Sequence, residues 1–153
     1  MTSEALPAGA FVPHRAPLLL VDEVLAHDAC SITTRSTVHD QPPFGDGAGG
    51  VPAYLGLELM AQSVAALSGI RRSGRGLAPI VGLLVGTRRY RASVPRFLDG
   101  TALTVHAVEK LADYVDMNVF VCRITGEDGR LLAEADVKAY QPDNIQAYLD
   151  ANP

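Results

Sequence analysis

The stretch Pro52-Ala-Tyr-Leu-Gly-Leu-Glu58-Leu-Met-Ala-Gln62-Ser-Val-Ala-Ala-Leu67 decides the fold of this chain. Between residues 55 and 70, apolar side chains cover nearly every helical angle instead of one stripe. That pattern predicts a helix with protein on all sides. We expect the helix to begin near Pro52, since proline suits a first helical turn, and to end near Arg72, just before Gly74.

Glu58 and Gln62 are the two polar exceptions in this helix, and they share one face because they are four residues apart. A carboxylate is seldom fully buried unless it is paired or used, because removing it from water is costly. A buried carboxyl stays protonated more readily and therefore suits a general acid. The ordinary alternative is a glutamate at the helix edge that reaches water or hydrogen-bonds to Gln62.

With 153 residues, 48% hydrophobic and 20% charged, the chain has the size and composition of one globular domain with its own core. Its net charge of -4 gives no general case for nucleic-acid binding. Four arginines nevertheless crowd together, which suits either an acidic partner or a solvated strand end. This arginine cluster consists of Arg88, Arg89, Arg91 and Arg96.

No metal or cofactor is expected. The histidines, cysteines and acidic residues show no metal-ligand spacing, and the glycine-rich loop lacks the Lys-Ser or Lys-Thr of a phosphate cradle. Cys30 and Cys122 stand in strand-like runs, and we expect both to be buried free thiols. The N-terminus has neither the basic nor the apolar segment of a signal peptide, so we expect a cytoplasmic protein without a membrane partner.

The rest of the chain is typical of β-structure. A β-branched run predicts a strand at 31–38, and a segment rich in proline and glycine predicts a loop at 41–52. Alternating apolar residues predict four strands after the helix. These strands span residues 80–90, 101–108, 115–121 and 131–139, with a hairpin loop at 125–129.

One apolar helix followed by antiparallel strands implies an α+β fold in which the sheet curls around the helix. We expect a single domain at 11–142, between a loose leader at 1–10 and a tail at 143–153. One sheet cannot cover the helix on all sides. A second copy of the chain is therefore expected to cover the remainder, and the protein should be at least a dimer.

Two specific motifs and one weaker motif carry a resemblance. They are Pro13-His14-Arg15-Ala16-Pro17-Leu18-Leu19-Leu20-Val21-Asp22, then Pro52 through Glu58-Leu-Met-Ala-Gln62, and finally Arg89-Tyr90-Arg91 leading to Pro95 and Asp99-Gly100. Over residues 11–140 the chain resembles the hotdog-fold 3-hydroxyacyl-acyl-carrier-protein dehydratases. The resemblance implies a catalytic role for Glu58 and substrates tethered to an acyl carrier protein.

The chain departs from that family at one position. The family has a catalytic histidine in the loop fourteen residues before the helical glutamate, and here that position holds Phe44. The glycine-rich loop and the run Leu83-Leu-Val-Gly-Thr-Arg-Arg-Tyr90 look more like the divergent dehydratase-like proteins of aryl polyene biosynthesis clusters. The resemblance to this subgroup implies the substrate class, acyl chains on a carrier protein, more strongly than it implies full catalytic activity.

Dehydrating a 3-hydroxyacyl thioester needs a base for the C2 proton, an acid for the departing hydroxyl and donors for the thioester oxygen. Glu58 suits the acid or a water-holding role. The backbone N–H groups of Ala53 and Tyr54, at the positive end of the helix, suit the oxygen. We expect Gln62 and His14 to line the substrate.

The base has three candidates. His39 lies five residues before the expected position, Asp46 lies two residues after it in a flexible-looking loop, and His14 belongs to the first motif. The fourth possibility is that no base exists and the subunit is weakly active or silent. The alternative functions are accordingly a non-catalytic subunit that binds the carrier protein or a related hotdog partner, and an acyl thioesterase. The arginine cluster is the expected docking surface for an acidic carrier protein.

Overall fold

The apolar stretch forms one long helix, α1, at Gly56–Ser73, which follows a 3-10 turn at Ala53–Leu55. The chain is seen here as a computed structural model that describes residues 4–80, 83–114, 117–140 and 150–151. The strands are β1 (Leu6–Pro7), β2 (Glu23–His27), β3 (Ser31–Thr37), β4 (Gly50–Pro52), β5 (Leu83–Ala92), β6 (Arg96–Leu98), β7 (Ala102–Tyr114), β8 (Met117–Thr125) and β9 (Leu131–Tyr140).

Seven strands form one antiparallel sheet in the order β1-β2-β3-β7-β8-β9-β5, and β4 pairs with β6 in a separate two-stranded sheet. α1 packs against β3, β7, β8 and β9, so the sheet curls around the helix. Met60, Ala66 and Leu67 are fully buried in that contact. The predicted α+β hotdog fold is confirmed.

The helix is apolar enough to be mistaken for a membrane span. By length and composition alone, the segment Ala53–Ser73 could cross a bilayer. However, 61% of its most apolar window is buried inside the protein, as expected for the core helix of a folded domain. The alternating strands around it supply that environment.

The predicted strands are found with shifted ends. β7 and β9 extend beyond the predicted ranges, and β8 begins at Met117, with residues 115 and 116 lying outside the described part of the chain. The hairpin between β8 and β9 is confirmed, closed by a bond from the Gly126 N–H to the Arg130 carbonyl. The short strand β6 was not predicted, because three residues are too few for an alternating pattern to stand out.

The structure corrects the N-terminal boundary. The leader was expected at residues 1–10, but Leu6–Pro7 pairs with β2 and Ala8 is fully buried in the core. Ala8 N–H also donates to the Asp22 carbonyl at 2.9 Å. The sheet therefore begins before residue 11. The expected tail at 143–153 lies largely outside the described residues.

The cysteine prediction is half right. Both thiols are free and Cys122 is buried, but Cys30 is exposed. Burial raises the pKa of the Cys122 thiol to about 12, so it stays protonated and inert at neutral pH. Cys30 lies in the β2–β3 turn, where its N–H donates to Asp28, and the turn rather than the strand sets its exposure.

Candidate active site

The first motif contains a turn in which the N–H groups of Leu18 and Leu19 donate to the Arg15 carbonyl, and its own charged residues hold it in place. Arg15 donates from Nη1 to the carbonyls of Val12 at 2.8 Å and His14 at 2.7 Å. At the other end, the Asp22 carboxylate accepts the Thr37 N–H at 2.7 Å, which ties the segment to β3. The segment therefore runs beside α1 with His14 fixed in place.

Gln62 connects this segment to the helix. Its Nε2 donates to the Leu18 carbonyl at 2.8 Å and to Glu58 Oε1 at 2.9 Å. Its Oε1 accepts the N–H groups of Leu20 at 2.8 Å and Val21 at 3.3 Å. Gln62 is fully buried, so these four bonds satisfy an amide that would otherwise be costly to bury.

Glu58 lies at the edge of the helix and not in the core. Its side chain is 40% exposed, so the expectation of a buried carboxyl is wrong for the single chain. Glu58 accepts a hydrogen bond from Gln62, as in the alternative interpretation of a glutamate at the helix edge. Any cover that keeps water from Glu58 must come from a substrate or another subunit.

His14 is the histidine that the fold brings to Glu58. Its Nε2 lies 3.7 Å from Glu58 Oε1, which is an ion-pair separation and too long for a hydrogen bond. His14 Nδ1 is buried and has no hydrogen-bond partner within the described chain. His14 Nε2 and the Glu58 carboxyl, which do not hydrogen-bond to each other at this distance, keep that capacity for a third group between them.

The other two base candidates are not brought to Glu58. His39 is exposed and lies in the wall of a neighbouring cavity. Asp46 forms a two-point ion pair with Arg96, with oxygen to nitrogen distances of 2.9 and 3.2 Å. The hydrogen bond from Arg96 lowers the pKa of Asp46, which makes that carboxylate a weaker proton acceptor.

The start of the helix differs from the expected oxyanion site. Ala53 N–H donates to the Pro95 carbonyl at 3.1 Å, so it is already occupied, and its assignment as an oxyanion donor is wrong. Tyr90 donates its hydroxyl to the Ala53 carbonyl. Tyr54, whose side chain is 69% exposed, follows in the first turn, where N–H groups lack partners within the helix. Its N–H remains the candidate donor.

A cavity of about 200 Å³ adjoins the site. Leu55 of the 3-10 turn and Leu59 of α1 contribute to its wall, on either side of Glu58 in the sequence. Phe44, at the position where a loop histidine was expected, also contributes. The remaining lining residues are Pro17, Leu19, Leu20, Asp22, Ser36, Thr37, Val38, His39, Gln41, Pro42, Pro43, Val51 and Leu103.

The arginine cluster divides into two parts. Arg88, Arg89 and Arg91 are exposed on β5, where the ladder with β9 shifts register and Arg89 has a positive φ of 57°. Arg96 is held by Asp46 and by the Gly50 carbonyl, so its charge is largely used inside the chain. A docking role stays a prediction for the three arginines of β5.

Sequence reasoning missed one residue of the site. Tyr90, whose burial raises its pKa and keeps it a proton donor, was part of the weakest motif, and that motif was the available signal. Among the described residues no group of three or more potential metal-ligating side chains is found.

Comparisons with known proteins agree with this geometry. The chain is 29% identical over 143 residues to the 3-hydroxyacyl-[acyl-carrier-protein] dehydratase FabZ of Agrobacterium fabrum, covering 90% of this chain and 89% of the relative. It matches the structure of the dehydratase heterocomplex ApeI:P from Xenorhabdus doucetiae with a TM-score of 0.87, 28% identity, and coverage of 98% of this chain and 100% of the other.

A more distant match is a hypothetical thioesterase from Streptococcus pneumoniae with coenzyme A. Its TM-score is 0.57 at 13% identity, covering 77% of this chain and 83% of the other, which shows a shared fold alone.

The curled sheet, the helical carboxylate and its imidazole and amide neighbours define the class as a hotdog-fold dehydratase. A family model described as ApeP-like, ApeP dehydratase, matches residues 6–150. The chain therefore belongs to the ApeP-like dehydratase family.

Proposed function

We propose that this chain dehydrates 3-hydroxyacyl groups carried as thioesters on an acyl carrier protein. The observation that carries the proposal is Glu58, held by Gln62 at 2.9 Å and lying 3.7 Å from His14 beside an apolar cavity. The family and the FabZ relative support the same reaction. The reaction is that of a lyase, and its product is the 2-enoyl thioester.

The residues divide the proton transfers between them. His14 accepts the proton from C2, the electrons of that bond form the C2–C3 double bond, and the C3–O bond breaks. Glu58 donates a proton to the departing hydroxyl, which leaves as water. The Tyr54 N–H, at the positive end of the helix, donates to the thioester oxygen while negative charge develops there.

The acid role needs a covered carboxyl, so we propose that the working protein is at least a dimer. Leu57, Ala61 and Ala65 lie only half-buried on one side of α1 and offer a small apolar face to a second subunit. That subunit is a second copy or a related hotdog chain. The heterocomplex to which this chain is similar supports the second arrangement.

The setting we propose is a carrier-protein synthesis of the fatty acid or aryl polyene type in the cytoplasm. The carrier protein presents the acyl thioester on a long prosthetic arm. The dehydratase therefore needs an opening that admits the arm and a cavity that holds the acyl chain. The three exposed arginines of β5 suit the acidic surface of such a carrier.

The decisive experiment incubates the purified chain with 3-hydroxyacyl, enoyl and saturated acyl carrier proteins and identifies the products by mass. Loss of water or hydration of the enoyl form supports the proposal. Release of free acid would instead identify a thioesterase. If product forms only after a related hotdog subunit is added, the chain is a partner subunit that is silent alone.

Variants test the assigned roles. Glu58→Gln keeps the shape and should lower the rate about 100-fold or more. Glu23→Gln is the control, because Glu23 pairs with Arg35 at the surface and away from the site. His14→Asn should lower the rate, and His39→Asn should not. The reverse result would move the base to His39, and a full rate for Glu58→Gln would contradict the whole assignment.

A further inference from the structure

Arg89 is a strained residue at a point where β5 has one residue more than its neighbour β9. Among the described residues other than glycine, Arg89 alone has a positive φ, 57°. Arg88 lies opposite Asp136 and Arg91 lies opposite Glu134, so two residues of β5 face one residue of β9 in a β-bulge. An arginine gains nothing from a left-handed backbone, and strain of this kind is typical of functional sites.

The bulge directs Tyr90 to the start of α1. A bulge re-aims the side chain beside it, and Tyr90 is half-buried between the exposed Arg89 and Arg91. The Tyr90 hydroxyl donates to the Ala53 carbonyl. Gly56 leaves room for this contact, because a Cβ there would overlap the hydroxyl. A strained strand and a glycine therefore combine to bring one hydroxyl to one carbonyl.

The Ala53 carbonyl belongs to the same peptide group as the Tyr54 N–H. A peptide group is planar, and in its trans form the carbonyl and the N–H point to opposite sides. The Ala53 carbonyl accepts the Gly56 N–H as well as the Tyr90 hydroxyl. These two bonds fix the plane of the group and therefore the direction of the Tyr54 N–H, which lies in the first turn, where N–H groups lack partners within the helix.

The bond from Tyr90 also makes the Tyr54 N–H a stronger donor. A donor at the carbonyl draws electron density towards the oxygen, and the N–H becomes more positive because the C–N bond has partial double-bond character. Burial raises the pKa of Tyr90, so the phenol keeps its proton and remains a donor at neutral pH. The gain is largest when negative charge develops on the atom that accepts the Tyr54 N–H.

We propose that Tyr90 is a positioning residue for the dehydration: through the Ala53 carbonyl it directs and polarises the Tyr54 N–H that stabilises the thioester oxygen. The bulge at Arg89 holds Tyr90 in place for this role. The inference rests on the proposed function, because it concerns the oxygen donor of that reaction. Tyr90 acts through the peptide group and does not contact the substrate.

The kinetic test compares Tyr90→Phe with the unaltered protein on a short 3-hydroxyacyl thioester that needs no carrier docking. kcat should fall about tenfold and KM should change by less than about twofold, because the bond matters most when charge develops in the transition state. Thr87→Val is the matched control: it removes a hydroxyl on the same strand that donates to the Asp136 carbonyl at 3.0 Å, and kcat should be unaffected. An unchanged kcat for Tyr90→Phe, whatever its Tm, would overturn the proposal.

Two substitutions of Arg89 test the bulge. Arg89→Gly and Arg89→Val lack the same guanidinium, but glycine adopts a positive φ readily and β-branched valine does not. On the short thioester, kcat should be about tenfold lower for Arg89→Val than for Arg89→Gly, matching the loss in Tyr90→Phe. In a Tyr90→Phe background this difference should disappear, because the bond that the bulge supports is already gone. A difference that persists there would show that the bulge does not act through Tyr90.

An infrared measurement separates this inference from the proposed function. A saturated acyl thioester, isotopically labelled at its carbonyl carbon, cannot lose water, and its carbonyl stretch falls in frequency when a donor binds the oxygen. Binding to the protein should lower the stretch, and Tyr90→Phe should reverse part of that shift. If no substrate is dehydrated but the shift depends on Tyr90, the proposed function fails and the role of Tyr90 stands. If dehydration succeeds but the stretch is the same in both proteins, the inference alone fails.

Discussion

Gly56 is the residue that fixes how α1 begins. A Cβ placed on Gly56 would overlap the Tyr90 hydroxyl and lie 3.1 Å from Ile124 Cδ1. Because no side chain stands there, Tyr90 reaches the Ala53 carbonyl and holds the turn from which Tyr54 and Glu58 project. The weakest of the three motifs therefore supports the helix that contains the strongest one.

Gly56→Ala should destabilise the fold by about 1–3 kcal/mol, because the added methyl overpacks against Tyr90. Tyr90→Phe alone should cost about 1 kcal/mol through its lost hydrogen bond. Combined, the two changes should cost less than their sum, since the phenylalanine lacks the atom that the methyl strikes. Urea denaturation of the four proteins measures this coupling, and strictly additive losses would contradict the packing argument.

At the residue scale, the sequence predicted what helical spacing determines. Glu58 and Gln62 are one turn apart, so their hydrogen bond follows from the spacing alone. The approach of His14 to Glu58 joins residues 44 positions apart and depends on how Arg15 and Gln62 hold the first segment. Sequence reasoning favoured His39 instead, because distance along the chain was its guide.

At the scale of elements, the Asp40 carboxylate bonds to two N–H groups of the loop between β3 and β4. Asp40 accepts the N–H groups of Gly47 at 2.9 Å and Gly49 at 2.7 Å, and both glycines have a positive φ. These bonds, the one from Gly47 first, lower the pKa of Asp40 below its ordinary 3.8. The loop also supplies Phe44 to the cavity wall, so its order sets the shape of that wall.

Asp40 should make this loop acid-sensitive. The Asp40 carboxyl has a lower pKa in the folded state than in the unfolded chain, so its ionised form stabilises the folded protein when the pH is above the unfolded pKa of 3.8. This contribution is lost as the pH falls below 3.8 and through the lower pKa of the folded state. Asp40→Asn should remove that part of the pH dependence and lower Tm by a few degrees at neutral pH. It should also raise KM, because the cavity wall loosens.

Asp28→Asn is the matched control for Asp40→Asn. Asp28 likewise accepts two backbone N–H groups, from Cys30 and Ser31, but it lies in the β2–β3 turn and away from the cavity. It should lower Tm without changing KM. An equal change of KM in both variants would show that general stability, and not the cavity wall, is responsible.

Composition identified this loop but not its internal order. Three prolines and several glycines between 41 and 52 are enough to exclude a helix or a long strand. Which carboxylate accepts the glycine N–H groups depends on the three-dimensional path of the loop, and Asp46, one of the three base candidates from sequence, instead binds Arg96 and the Ala48 N–H. The long strands, by contrast, follow from the alternation of apolar residues, which buries one face of each.

At the scale of the whole molecule, β5 forms one end of the seven-stranded sheet, and among the described strands only β9 pairs with it. An unpaired strand edge offers N–H and carbonyl groups to another chain. The same strand carries Arg88, Arg89 and Arg91, so an edge open to pairing and the surface predicted for carrier docking lie side by side. The uncovered helix predicts a partner subunit, and it does not predict which sheet edge that subunit would meet.

Reversing two of these charges, Arg89→Glu with Arg91→Glu, separates the two roles. A basic rim steers an acidic carrier protein, so the reversal should lower kcat/KM for carrier-bound substrates roughly tenfold and reduce its salt dependence, while a short thioester mimic is used as before. Arg75→Glu, an exposed charge reversal just beyond the C-terminal end of α1, is the control.

Light scattering should show at least a dimer for every variant. A monomer after the double reversal would place these arginines in the subunit interface, and equal loss on both substrates would contradict a docking role.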